Sequence, residues 1–106
     1  MSISENITNI KKRIPDDIAL VAVSKTKPIE DIKTAYNSGH KIFGENRVPE
    51  LVQKYNDLPK DIRWHMIGHL QTKKVKQIAP FVSLIHSVDS IKLIREINKR
   101  AKENNR

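Results

Sequence analysis

Apolar residues along this chain alternate between two patterns, one typical of amphipathic helices and one typical of buried strands. Four isoleucines recur at helical spacing near the start, namely Ile3, Ile7, Ile10 and Ile14. A continuous apolar run then covers residues 18–23. A run of this kind predicts a strand that is buried on both faces. The chain is therefore expected to open with one helix and one strand.

The same alternation continues through the rest of the chain. Helices are predicted after Pro28, after Arg47, over residues 71–79 and after Asp89 or Ser90, and further strands over residues 41–44, 62–67 and 81–85. The last helix would carry Ile91, Ile94, Ile97 and Ala101 on its apolar face, with residues 98–106 forming a polar tail.

The predicted order is one helix followed by four βα units, which repeat about every 20 residues. Alternating strands and helices with continuous apolar strands indicate an α/β fold with a parallel sheet and right-handed crossovers. The sheet is either open and doubly wound or part of a (β/α)8 barrel. Four strands cannot close a barrel at the usual tilt, so the second case implies a half-barrel.

Length and composition limit the class of protein. The 106 residues suffice for one small domain, residues 1–106, and the absence of cysteine excludes a disulfide framework. No apolar stretch approaches the roughly 20 residues of a membrane-spanning helix, and no signal peptide is recognisable. We expect a cytoplasmic protein with no membrane partner.

The net charge of +8 raises the question of a nucleic-acid partner. The cations are dispersed, however, and the densest run, Lys73, Lys74 and Lys76, falls on the predicted wet side of a helix. Aromatic residues make up 5% of the chain, which leaves little to stack on bases. A solvated basic surface is the favoured interpretation, and a nucleic-acid-binding module is the less favoured alternative.

Polar residues follow each predicted strand. Lys25 comes after the first, Glu45 and Asn46 after the second, His69 after the third and His86 after the fourth. In parallel α/β folds the carboxyl ends of the strands meet at one edge, where binding sites form. We therefore expect a functional rim at this edge.

Lys25 is the sharpest candidate on this rim. A lysine held against an apolar interior loses hydration, which lowers the pKa of its ammonium group and yields a nucleophilic amine. Such an amine can attack a carbonyl carbon and form a Schiff base. A hydrated lysine at the end of a strand explains the same pattern, and spacing alone leaves both interpretations open.

The other rim residues also have two interpretations. Asn46 either faces the rim or caps the third helix, and Glu45 with Arg47 would form an exposed pair of little energetic value. His65 and His69 have metal-ligand spacing, but Gly68 intervenes and a third ligand is missing, so we predict no metal site.

A hydrolase site is also weakly supported by the sequence. His86, Ser87 and Asp89 are the residue types of a hydrolase triad, yet neighbours in sequence rarely reach that geometry. No nucleophile elbow and no glycine-rich phosphate loop is present in the sequence. We predict no catalytic residues.

Four motifs in this order resemble the pyridoxal-phosphate homeostasis protein family, also called the proline-synthetase co-transcribed family. They are AVSKTKP (22–28), FGENRVPE (43–50), WHMIGHLQTKKVK (64–76) and HSVDS (86–90). The resemblance covers nearly the whole of residues 18–92. It implies a fold-type III, alanine-racemase-like (β/α)8 barrel that binds pyridoxal 5′-phosphate (PLP).

The resemblance also implies site residues. Lys25 matches the lysine that carries PLP as a Schiff base, Asn46 matches an asparagine near the cofactor, and His86 matches a motif position on the same rim. The implied function is intracellular PLP homeostasis without established catalytic turnover, with PLP-dependent client enzymes as partners. A racemase or decarboxylase is the alternative, but it needs a second acid or base that these residues do not evidently supply.

The sequence is about half as long as members of that family. The resemblance implies that the phosphate-binding residues lie in the half that is absent here. A fragment of a longer protein is the favoured explanation, ahead of a truncated gene product and of a half-barrel completed by a second copy. Open strand edges would make an isolated half prone to self-association.

Overall fold

Four short parallel strands organise the fold. The computed structural model describes residues 3–15, 20–86 and 88–106. Within these ranges the strands pair in chain order in one sheet, as β1 (Ala22–Val23), β2 (Ile42–Glu45), β3 (Arg63–Met66) and β4 (Leu84–Ile85). The predicted parallel α/β sheet is confirmed.

A helix precedes the sheet and helices connect its strands. Their bounds are α1 (Ile3–Lys11), α2 (Ile29–Asn37), α3 (Val48–Asp57), a 3₁₀ turn (Thr72–Lys74) that leads into α4 (Val75–Ile78), and α5 (Ile91–Glu103). Because each strand pairs with the next one along the chain, every connecting helix crosses from one strand to its neighbour. In the described part of the chain, no helix has the length and apolar character needed to cross a membrane.

Local chemistry explains where the helices start and stop. Pro28 occupies the N-cap of α2, and Gly39, with φ at 100°, follows its C-terminal end in a backbone conformation that favours glycine. The Ser90 hydroxyl accepts a hydrogen bond of 3.1 Å from the Leu93 amide and so caps α5. Of the two predicted caps for this helix, Ser90 is the one the structure uses.

Several predicted elements are shorter in the structure, among them β1, which covers only Ala22–Val23 of the predicted run 18–23. The helix expected over residues 71–79 begins as a 3₁₀ turn, and the strand expected over 81–85 is limited to Leu84–Ile85. The Val82 amide still donates to the Ile78 carbonyl at 2.9 Å, so the turn after α4 extends into the predicted strand. In the first predicted strand, Ile18 and Ala19 lie outside the described residues.

The prediction for α5 was right to include Ala101 in the helix but wrong for part of its apolar face. Leu93 is 1% exposed and anchors the helix, whereas Ile91 is 69% exposed. The predicted polar tail is helical as far as Glu103. One reason for this extension is Arg100, which forms ion pairs with Glu96 at 2.7 Å and Glu103 at 3.0 Å on the same helix.

The two faces of the sheet have different environments. One face packs against the helices and buries Phe43, Trp64 and Met66 in the core. The register places Val23 and Leu84 in a row on the other face, and both are 52% exposed. The result is the half-barrel arrangement predicted above, with a packed outer face and an open inner face.

Candidate functional site

Because the strands are parallel, their carboxyl ends lie at one edge of the sheet. The Ser24 amide donates to the Gly44 carbonyl at 3.0 Å, the Ile67 amide to Glu45 at 2.9 Å, and the His86 amide to Met66 at 2.9 Å. These bonds extend the ladder beyond the strands themselves. They bring Lys25, Asn46 and His86, the three predicted site residues, to the same edge of the sheet.

Lys25 lies in a tight turn and not in the strand. The Lys27 amide donates to the Ser24 carbonyl at 3.1 Å, and Thr26 has φ at 61°. A positive φ at the third position is the mark of a type II turn, where glycine is the usual residue. Threonine is β-branched, so this conformation costs on the order of 1–3 kcal/mol.

The expectation of a dehydrated Lys25 is wrong for this chain. Its side chain is exposed. The turn explains this result, because Lys25 belongs to the turn that follows the sheet and not to its buried part. The exposure agrees with the alternative of a hydrated lysine, and it leaves the amine accessible to a ligand.

A buried ionic cluster lies beneath this turn. The Lys54 ammonium donates to the Ser24 carbonyl at 2.6 Å, to Glu45 Oε2 at 3.0 Å and to Glu50 Oε2 at 2.7 Å. The Ser24 hydroxyl also donates to Glu45 Oε2, and the Thr26 amide donates to Glu50 Oε2 at 2.7 Å. We refer to Ser24, Glu45, Glu50 and Lys54 as the Lys54 cluster.

Burial shapes the electrostatics of the Lys54 cluster. Glu45 is 0% exposed and Lys54 is 5% exposed. Burial raises the pKa of the Glu45 carboxyl, although the Ser24 hydroxyl and the Lys54 ammonium act in the opposite direction. Its Oε1 atom is buried and has no hydrogen-bond partner among the described residues. The hydrogen bond from Lys54 lowers the pKa of the more exposed Glu50.

The predicted exposed pair of Glu45 and Arg47 was therefore wrong. Glu45 is two residues after Phe43, so both side chains lie on the helix-facing side of β2. Lys54 is three residues after Leu51, on the buried side of α3. These two periodicities were the signal in the sequence that would have found the Lys54 cluster.

Asn46 is held by a close backbone approach. A β-carbon on Gly68 would lie 2.5 Å from the Asn46 carbonyl oxygen and 2.8 Å from its Cα. The chain after β3 therefore passes directly over Asn46 at a distance that only glycine permits. Arg47, and not Asn46, occupies the N-cap of α3, so the capping alternative for Asn46 was wrong.

The histidines of the rim form two separate contacts. His65 Nδ1 lies 2.9 Å from His86 Nε2, and His69 Nδ1 lies 3.5 Å from Asp89 Oδ2. Desolvation lowers the pKa of His65, and the charge on His86 adds to this effect. A hydrogen bond between two imidazoles needs one ring nitrogen without a proton, so the pair is compatible with at most one charge.

Among the described residues, neither the spaced pair His65 and His69 nor the residues of the predicted triad form a recognisable metal or hydrolase site. His65 and His69 contact different partners, and the described residues contain no group of three or more His, Cys, Asp or Glu side chains that could hold a metal ion. Within the predicted triad, Ser87 lies outside the described residues, while His86 and Asp89 each contact a different histidine.

The remaining chemistry of the rim suits a small carbonyl compound. Lys25 offers an accessible primary amine, Asn46 a carboxamide with both donors and acceptors, and the His65–His86 pair an imidazole edge. An anionic aldehyde could be captured by the amine and oriented by the neighbouring polar groups. These residues therefore fit the aldehyde end of PLP.

Comparison with known proteins identifies relatives of the chain. No family model matches it. It is 52% identical over 87 residues to the pyridoxal phosphate homeostasis protein of Aquifex aeolicus (strain VF5), a match that covers 81% of this chain and 38% of that protein. It is 39% identical over 95 residues to the protein of the same name from Synechocystis sp. (strain ATCC 27184 / PCC 6803 / Kazusa), covering 88% of this chain and 44% of that one.

Solved structures with a similar fold are also found. PipY of Synechococcus elongatus PCC7942, solved without PLP and with PLP bound, superposes with TM-scores of 0.90 and 0.91 at 38% identity. Each superposition covers 99% of this chain and 50% of PipY. The chain thus spans about half the length of PipY and less than half the length of the curated relatives it matches.

Replacing Gly68 by alanine tests the close approach to Asn46. We expect Gly68→Ala to lower the free energy of unfolding by about 1–3 kcal/mol, because the new methyl group meets backbone atoms that must shift. Urea unfolding followed by the fluorescence of Trp64, the only tryptophan, measures this loss.

Gly44→Ala is the matched control for that measurement. Its β-carbon would meet only side-chain atoms, at 3.0 Å from Val21 and 3.1 Å from Ile67, so its loss should be smaller. The gain from a less flexible unfolded chain is similar in both variants and cancels in the comparison. Equal losses, or a larger loss for Gly44→Ala, would contradict the described approach.

The histidine pair predicts a pH dependence. Because the pKa of His65 is lowered in the folded chain, the unfolded chain binds more protons near its ordinary value of 6.5. The contribution of His65 to stability is therefore fully present above that value and is lost as the pH falls from it through the lower pKa of the folded chain. NMR titration of the His65 ring should give a higher pKa in His86→Ala, and an unchanged or lower one would contradict the pairing.

Proposed function

We propose that this chain, which belongs to the family of pyridoxal phosphate homeostasis proteins and corresponds to their N-terminal half, binds PLP through a Schiff base on Lys25. The observation that carries the proposal is the accessible Lys25 amine on a turn at the strand-end edge that also holds Asn46 and His86. This chain superposes on half of PipY. The PLP-bound structure of PipY therefore supports the choice of ligand.

The chemistry of the proposed site is a condensation. The Lys25 nitrogen, once deprotonated, forms a C=N bond to the aldehyde carbon and gives up its remaining protons, and the aldehyde oxygen leaves as water. PLP supplies an electron-withdrawing ring when it is bound. Lys27, which is also exposed, occupies the last position of the turn and is not assigned this role.

Asn46 and His86 are proposed to orient the ligand. Asn46 is fixed by the passage of Gly68 over its backbone. His86 is oriented by its contact with His65. A carboxamide and an imidazole held in this way offer donors and acceptors at fixed positions on the rim without requiring any charge.

The biological role that fits this chemistry is PLP homeostasis without turnover. A racemase or decarboxylase needs an acid or base placed against the bound substrate in addition to the lysine. The rim described here is explained by capture and orientation alone. We therefore propose a carrier of PLP that delivers the cofactor to PLP-dependent enzymes.

We further propose that the open inner face leads to self-association. Val23 and Leu84 present exposed apolar surface there, and the outer edges of β1 and β4 have no strand partner among the described residues. Unpaired strand edges beside an apolar face favour the pairing of two chains. A second copy of this chain is the proposed occupant.

Borohydride trapping tests the assignment of Lys25. Reduction after addition of PLP should fix one pyridoxyl group on the chain, and peptide mapping by mass spectrometry should place it on Lys25. Lys25→Ala should lose both this adduct and the imine absorbance band. The matched control Lys27→Ala should keep them, and equal spectra for wild type and Lys25→Ala would refute the assignment.

Sedimentation velocity tests the proposed self-association. The wild-type chain should shift towards a dimer with rising concentration, and Leu84→Asp should reduce that shift because a buried unpaired charge is unfavourable. Ile91→Asp is the control, since Ile91 is more exposed than Leu84 and lies on α5. A wild-type chain that stays monomeric at all concentrations would exclude this part of the proposal.

A further inference from the structure

We infer that the Lys54 cluster positions the Lys25 turn, and that Lys54, Glu45 and Glu50 are therefore positioning residues for the capture of an aldehyde. This inference rests on the proposed function of Lys25. It extends that function to residues on the opposite, helix-facing side of the sheet. None of the three is proposed to touch the ligand.

The contacts of the cluster bracket Lys25 on both sides. The residue before it, Ser24, is held through its carbonyl by Lys54 and through its hydroxyl by Glu45. The residue after it, Thr26, is held through its amide by Glu50 at 2.7 Å. Lys25 therefore lies in the turn between two residues, Ser24 and Thr26, that the cluster holds in place.

The backbone of the turn needs such support. Thr26 has φ at 61°, a conformation that is unfavourable for a β-branched residue and persists only where surrounding contacts impose it. The hydrogen bond from its amide to Glu50 is a contact of this kind. Without it, we expect the turn to relax to other conformations and Lys25 to lose its fixed position.

The cluster also joins three separate elements of the fold. Lys54 and Glu50 lie on α3, Glu45 lies at the end of β2, and Ser24 follows β1. Because the ammonium of Lys54 is nearly inaccessible to solvent, its bonds are weakly screened. A single buried side chain thus fixes the end of β1 relative to the neighbouring strand and helix.

The expected consequence is kinetic. A displacement of about 1 Å at a reacting group can lower a rate on the order of 100-fold. Loss of the cluster should therefore slow the reaction of Lys25 with PLP.

Two independent measurements on the full 106-residue chain test the inference. The first is the rate of adduct formation at Lys25 with PLP, followed by borohydride reduction and peptide mapping. The second is amide hydrogen exchange at Thr26 and Lys27 by NMR, which needs no ligand. In Lys54→Met, we expect exchange at both amides to rise by about tenfold or more and the rate at Lys25 to fall to a similar extent.

Arg100→Met is the matched control. Arg100 also bridges two carboxylates, Glu96 and Glu103, but it does so on α5, away from the turn. Its loss should leave the Lys25 rate and the two amides unchanged within about twofold, whatever its effect on stability. An equal effect of Arg100→Met and Lys54→Met would show general loosening and would overturn the inference.

Glu50 provides a graded test if Lys54→Met does not fold. Glu50→Gln keeps an oxygen that can accept from the Thr26 amide, whereas Glu50→Ala removes it. We expect fast exchange and slow capture in Glu50→Ala and near wild-type behaviour at Thr26 in Glu50→Gln. Identical exchange at Thr26 in wild type and Glu50→Ala would overturn the inference.

The outcomes separate this inference from the proposed function. If wild type forms no adduct on Lys25, the proposed function fails, and the amide measurements alone decide whether the cluster holds the turn. If wild type reacts and both Lys54→Met and Glu50→Ala react equally fast, the function stands and the positioning role is refuted. Slowed capture at Lys25 in Lys54→Met, with an unchanged rate in Arg100→Met, supports both.

Discussion

Backbone hydrogen bonds between parallel neighbours continue past the last residues of β1, β3 and β4, and the candidate site depends on this ladder. It fixes the order in which the chain leaves the sheet, so that residues more than 60 positions apart in sequence, Lys25 and His86, lie at one edge. Neither residue has to contact the other for this to hold. The site follows from the register, and the side chains then supply its chemistry.

The two faces of the sheet carry different kinds of residues. The helix-facing side contains the apolar core together with the Lys54 cluster, whose ammonium contacts the Ser24 carbonyl after β1 and the Glu45 carboxylate at the end of β2. The other side is open and carries exposed apolar residues beside the histidine pair. A parallel sheet is normally covered on both faces. The open face is consistent with a chain that spans half of its structural relative.

Element order and strand direction could be predicted from the sequence because they depend on local periodicity. The stripe in α3 and the apolar runs around β2 and β3 are strong signals of this kind. The length of β4 could not be predicted, since the turn after α4 continues to Val82 and the Phe81 ring stacks on the distant Tyr55, with ring centroids 3.9 Å apart. Tertiary packing decided that boundary.

The site was only partly predictable for a related reason. Sequence order placed Lys25 and Asn46 at strand ends, but it did not reveal that Lys25 occupies a turn with a positive φ at Thr26. The burial of Glu45 was also missed, because a carboxylate is usually exposed and its partner Lys54 is nine residues away on α3. The signal in the sequence for such a buried ion pair is a charged residue at a position that falls on an apolar face.

A crystal structure of this chain with PLP tests the central claim most directly. The account predicts continuous electron density from the Lys25 nitrogen to the cofactor, with Asn46 and His86 in contact with the same molecule. Density on another lysine, or a cofactor bound away from the edge where the strands end, would contradict it.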